Sequence, residues 1–157
     1  MEQNDLDILA DIKSQPKTAI MLIGIHCTGK TYFYHEYLKD FARVEYDGKI
    51  KRKQQQQIVN FINDGMSFVL DNTNITKADR KPILELFKNK GYRVCAMYFC
   101  SVVKECIEKN RKRLNHIPDK KIIDMSKIIE MPNSSEGFTN VYYVDNAQND
   151  FYLEVWE

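Results

Sequence analysis

Gly24-Ile25-His26-Cys27-Thr28-Gly29-Lys30-Thr31 has the form G-x-x-x-x-G-K-[ST], the loop whose backbone N–H groups wrap the phosphates of a nucleoside triphosphate. At ordinary residue frequencies such a pattern arises by accident in roughly one chain in two hundred of this length, so its flanks decide its value. Thr18–Ile23 ahead of it is a short apolar run that predicts a buried strand, and Thr31–Phe41 after it predicts a helix. Strand, loop and helix is the order a phosphate-binding loop requires. In that arrangement the loop amides and the first helical turn, to Tyr32, carry partial positive charge toward an anion. Gly24 and Gly29 supply backbone freedom, Lys30 reaches the β and γ phosphates, and the Thr31 hydroxyl ligates the accompanying Mg²⁺. Ile25, His26, Cys27 and Thr28 fill the variable loop positions, although a thiol beside a helix N-terminus can also be reactive.

The chain's 157 residues predict one domain able to bury a core without disulfides. Cys27, Cys95, Cys100 and Cys106 lack C-x-x-C spacing, which predicts free thiols and a reducing, intracellular compartment. No apolar run reaches the ~18 residues of a membrane span, so no membrane partner is expected. Net charge is +1, no global signature of nucleic-acid binding, but basic residues cluster at Lys49–Lys53, Lys77–Lys81 and Lys109–Arg113, with Lys120 and Lys121 beyond. Each such run also reads as a solvated surface.

Apolar runs alternate with helical stretches, the pattern of a parallel α/β sheet. Further strands are predicted at Ala42–Tyr46, Ser67–Asp71, Arg93–Phe99, Val141–Asp145 and Phe151–Trp156. Helices are predicted at Asp5–Lys13, Gln54–Asn63, Asp79–Asn89, Val102–Leu114 and Asp119–Glu130. The third of these starts at Asp79 rather than Thr76, because Pro82 then falls in the first turn. A guanine-specific N-K-x-D is missing, and no D-E-x-x box follows the third strand. A GTPase and a helicase-like ATPase both lose ground, which leaves the compact kinases with a mobile basic lid, here about 109–121.

Three segments narrow the group: Asp71-Asn72-Thr73-Asn74, then Lys109-Asn110-Arg111-Lys112-Arg113 with His116-Ile117-Pro118, then Glu136-Gly137-Phe138. In this order, across roughly Ala19 to Asp145, they resemble the kinase domain of polynucleotide 5′-kinases. The resemblance implies a three-layer α/β P-loop kinase fold with a mainly parallel sheet and a helical basic lid. It implies transfer of the γ-phosphate of ATP, with Mg²⁺, to the 5′-hydroxyl end of DNA or RNA. By the same resemblance Asp47 is the base that takes the hydroxyl proton, and Asp71 and Asn74 orient the metal's water or the acceptor end. Arg113 contacts the donor phosphates, with Lys109 and Arg111 beside it. Phage-type members carry an arginine three residues after the base; Ile50 stands there, leaving Lys49 and Lys51 as the nearest cations to grip the acceptor. The fused phosphatase signature D-x-D-G-T is missing, so a separate phosphatase or ligase would complete end repair. The residues leave two alternatives open: a kinase of a small-molecule hydroxyl, and a nucleotide-binding module without catalysis.

Overall fold

The computed structural model describes Met1–Glu157. Its strands are β1 Thr18–Ile23, β2 Ala42–Glu45, β3 Phe68–Asp71, β4 Arg93–Phe99, β5 Asn140–Ala147 and β6 Asp150–Val155. Its α-helices are α1 Gln3–Ser14, α2 Lys30–Phe33, α3 Arg52–Asp64, α4 Lys77–Glu85, α5 Val103–Arg111 and α6 Asp119–Ile128. One six-stranded sheet runs β2-β3-β1-β4-β5-β6, parallel except for the β5–β6 hairpin.

All six residues of β1 are buried, as expected of a central parallel strand covered on both faces. Alternation divides them. Ile20 and Leu22 join Leu9 and Ile12 of α1 with Phe33, Leu38 and Phe151 in one core cluster. Ala19, Met21 and Ile23 join Ile58 and Ile62 of α3 with Ile83 and Leu84 of α4 in another. The result is the three-layer α/β sandwich expected from the sequence. Phe33 meets Phe99 and Phe151 edge-on, with ring centroids 5.3 Å and 5.1 Å away. Such pairs contribute about 0.5–1.5 kcal/mol beyond area burial, and here they clamp the helix that follows the phosphate loop onto β4 and β6.

Two local expectations are corrected. Helix α4 begins at Lys77, capped by the Thr76 hydroxyl, which accepts from the Asp79 N–H at 3.1 Å. Pro82 therefore lies inside the helix; its missing N–H would have served Ala78, an exposed residue whose carbonyl water can satisfy. The helix after the phosphate loop is α-helical only over α2 and then widens into a π turn at Tyr34–Leu38. Apolar spacing does not separate a 3.6-residue turn from a wider one over so short a segment.

Candidate active site

The carboxyl ends of β1, β2 and β3 open into a cleft of about 450 Å³. Register brings them level: Glu45 pairs with Asp71, and Asp71 with Leu22. In open α/β sheets this edge is where ligands bind. The cleft is lined by His26, Cys27, Gly29, Lys30, Thr31 and Tyr32 from the loop and helix α2 on one side. Glu45, Tyr46, Asp47, Asp71, Asn72 and Thr73 line the other, while Lys109, Arg113 and Asn149 close over it.

The phosphate loop is held from several directions. The Gly24 N–H donates to the Thr73 carbonyl at 3.0 Å, and a Cβ at Gly24 would lie 3.1 Å from the Cβ of Phe99. Gly29 has φ +96°, and a Cβ there would lie 2.5 Å from Asn146 Nδ2; that amide donates to the Thr28 carbonyl at 3.0 Å. Only glycine accommodates both demands at position 29. Ile25 is buried beneath the loop among Ile75, Cys106, Ile122 and Met125. Cys27 is left-handed at φ 67°, and Arg113 Nη1 reaches its Sγ at 3.6 Å, so the turn after α5 touches the loop.

The Lys30 ammonium donates to the carbonyls of Gly24 at 2.8 Å and Ile25 at 2.7 Å. Burial, opposed in part by Asp71, lowers its pKa from 10.5 to about 8. Burial, followed by the charge of Lys30, also lowers the pKa of His26. Asp71 is 5% exposed. Its Oδ2 accepts from Arg43 Nε at 2.9 Å and Nη2 at 2.7 Å, with Thr31 Oγ1 at 3.4 Å. A hydroxyl and a carboxylate are hard oxygen donors of the kind Mg²⁺ takes, so the residues present fit that ion.

The structure brings Asp47, Lys30, Arg113, Lys109, Thr31, Asp71 and Tyr32 to one cleft, and not all of the other candidates. Arg111 is exposed and pairs with Asp119 at 2.6 Å, because a two-residue step along α5 and its turn separates it from each of the cleft-facing Lys109 and Arg113, which puts it on another face. Asn74 is 3% exposed and internal: Tyr46 Oη donates to its Oδ1 at 2.6 Å, and its Nδ2 donates to the Leu22 carbonyl at 2.8 Å. It braces the strand ends instead of meeting an acceptor. Lys49 and Lys51 are exposed beyond the cleft lining, Lys51 preceding α3. Asp47 lies past the end of β2, in the turn that Asn72 Nδ2 secures by donating to the Gly48 carbonyl at 2.7 Å.

Sequence reasoning passed over Arg43, Asn146 and Asn149. Arg43 carries a signal in principle, a cation beside the buried Val44 in a short strand. Asn146 and Asn149 read only as turn formers, and the β5–β6 hairpin that places them is a matter of long-range pairing.

A family model described as AAA domain matches residues 20–133. Among solved structures, the chain is similar to Chaetomium thermophilum Kti12 in complex with ADP-AlF3, at 13% identity and TM-score 0.58, over 83% of this chain and 91% of that one. It is similar to a gluconokinase from Sinorhizobium meliloti 1021, at 12% identity and TM-score 0.54, over 84% of each chain. A chain of the PezAT toxin-antitoxin system of Streptococcus pneumoniae aligns at 17% identity and TM-score 0.55, over 98% and 82%. At these identities the likeness shows the fold. No curated protein matches in sequence. No helix is long and apolar enough to cross a membrane.

Proposed function

This chain belongs to the AAA-domain family and has a P-loop kinase-like fold, and from that premise we propose that it transfers the γ-phosphate of ATP to a hydroxyl acceptor, the 5′-hydroxyl end of a polynucleotide. The observation that carries the transfer is the meeting of Lys30, Arg113 and Asp47 in one cleft. Two cations face the donor phosphates, and a carboxylate stands across from them on the acceptor side. Asp47 takes the proton of the hydroxyl as its oxygen bonds to phosphorus and the bond to the ADP oxygen breaks. Lys30 and Arg113 meet the charge spread over the equatorial oxygens. Thr31 and Asp71 would hold Mg²⁺, which neutralises phosphate charge when bound. Beyond Asp47 the surface turns basic at Lys49, Lys51, Arg52 and Lys53, a rim suited to the backbone of a nucleic acid that enters by its end.

A second reading, transfer to a small hydroxyl compound, is favoured by one observation: those lysines are outside the cleft, whose acceptor side presents Glu45, Asp47, Asn72 and Thr73. The test is transfer of labelled γ-phosphate to a 5′-hydroxyl oligonucleotide, with a 5′-phosphorylated copy as control. Label on the hydroxyl end alone supports the polynucleotide reading. ATP binding with no transfer to the oligonucleotide overturns it and directs the search to small alcohols.

Lys30 gives ATP binding a pH dependence. Phosphate oxygens favour the ammonium form, so binding raises a pKa that burial holds at about 8 in the free protein. Above pH 8 the free protein holds a growing fraction of neutral amine, and each bound nucleotide must bring a proton in. The dissociation constant is therefore expected to rise by up to about tenfold per pH unit between pH 8 and 10. Calorimetric titration at pH 9 in two buffers of different ionisation enthalpy will register the uptake. Equal heats in the two buffers would remove Lys30 as its source.

A further inference from the structure

Alternation along β2 buries Val44 in the core and turns Arg43 and Glu45 to the opposite face. There the Arg43 guanidinium lies 5.1 Å over the ring of Tyr34, in the π turn, and Nη2 lies 3.3 Å from Glu45 Oε1. Its strongest contact is Asp71. An arginine commonly meets a carboxylate as a fork, one nitrogen to each oxygen. Here Nε and Nη2 converge on the same Oδ2, which the Thr31 hydroxyl also approaches. No hydrogen bond within the protein falls on Oδ1, and no buried polar side-chain atom lacks a partner, so Oδ1 is the oxygen that Asp71 presents to the cleft. The side chains of Arg43 and Asp71 are 19% and 5% exposed, and a largely dry pair of this kind holds its geometry.

We propose that Arg43 is a positioning residue that pins one oxygen of Asp71 beside Thr31 and thereby aims the other into the cleft, where it meets the metal-bound donor. The inference rests on the assignment of Asp71 and Thr31 to Mg·ATP under Proposed function. It opposes a plainer role in which Arg43 only neutralises Asp71, and the two differ in sign. If Arg43 merely offsets charge, removing it makes the carboxylate a better partner for a divalent cation. If it positions Asp71, removing it lets the carboxylate rotate and metal-assisted binding weakens, by about the 10–100-fold typical when a ligand's supporting partner is lost.

Arg43→Gln removes charge and planar grip together. Arg43→Lys keeps the charge but cannot set two nitrogens of a fixed plane on one oxygen. Calorimetric titration of ATP into the parent and both variants, with excess Mg²⁺ and again in EDTA, separates the cases. The expected result is that both variants lose about 10–100-fold in Mg·ATP affinity while affinity for ATP in EDTA stays close to the parent's. Equal or tighter Mg·ATP binding by Arg43→Gln, or a lysine variant indistinguishable from the parent, overturns the proposal. Should the glutamine variant fail to fold, the lysine variant decides alone. A parent that binds ATP equally with and without Mg²⁺ overturns the assignment of Asp71 and Thr31 itself, and this inference with it. That failure is visible before any variant is made.

Discussion

Replacement of Arg80 by methionine is expected to lower the unfolding free energy by about 3–5 kcal/mol, the usual cost of leaving one half of a buried ion pair alone. Arg80 is 0% exposed. Its Nε and Nη2 donate to the two carboxylate oxygens of Glu136 at 2.9 Å and 3.1 Å, while Nη1 serves the carbonyls of Asn74, Ile75 and Glu130. Methionine fills much of the space but strands the Glu136 charge and the carbonyls of Asn74 and Glu130, while the Ile75 carbonyl keeps the Glu130 N–H at 2.9 Å. Urea titration measures the loss. The double variant Arg80→Met, Glu136→Gln should recover part of it, because the stranded charge has gone. A single variant within 1 kcal/mol of the parent would show that water reaches the site. The pair also ties the segment after β3 to the Glu136-Gly137-Phe138 stretch before β5, so two of the segments behind the kinase resemblance form one joint.

Asp47→Asn is expected to lower the transfer rate by about 10²–10⁴, the range that general-base assistance contributes. The substitution keeps the side chain's size and leaves untouched the 2.7 Å bond from Asn72 to the Gly48 carbonyl that fixes the turn. ATP affinity should therefore stay near the parent's, since the proposed reading puts Asp47, which lines the cleft, on its acceptor side. Single-turnover transfer from pre-bound ATP isolates the chemical step. A rate within tenfold of the parent's removes Asp47 from the reaction and leaves it a turn residue.

Much of this was legible in the chain. The six strands followed from short apolar runs, and the parallel α/β class from their alternation with helices, because burial within a parallel sheet leaves a strong mark; the order of the strands across the sheet did not. The loop from Gly24 to Thr31 was explicit, since its chemistry depends on backbone freedom that only certain residues permit. What escaped reading depends on distance in the chain. Thr76 prevailed over Asp79 as the cap of α4 because a hydrogen bond outweighed the convenience of an early proline. Arg111 matched the lid by composition, yet helical phase turned it to solvent and Asp119. Asn74 belonged to the right motif but faces inward, bonded to Tyr46 and Leu22. Arg43 is intelligible only once β2 and β3 are side by side.

The amide of Asn146 that steadies the Thr28 carbonyl stands 118 positions further along the chain. At a synthesis rate of about 5–20 residues per second, roughly 6–24 s separate the two on the ribosome. For that interval the phosphate loop exists without its brace, and Phe33 without the ring of Phe151. A nascent chain thus carries the complete nucleotide-binding motif well before it carries a fully braced nucleotide-binding site, and ATP can assist the folding of that site only once Asn146 and Phe151 have been made.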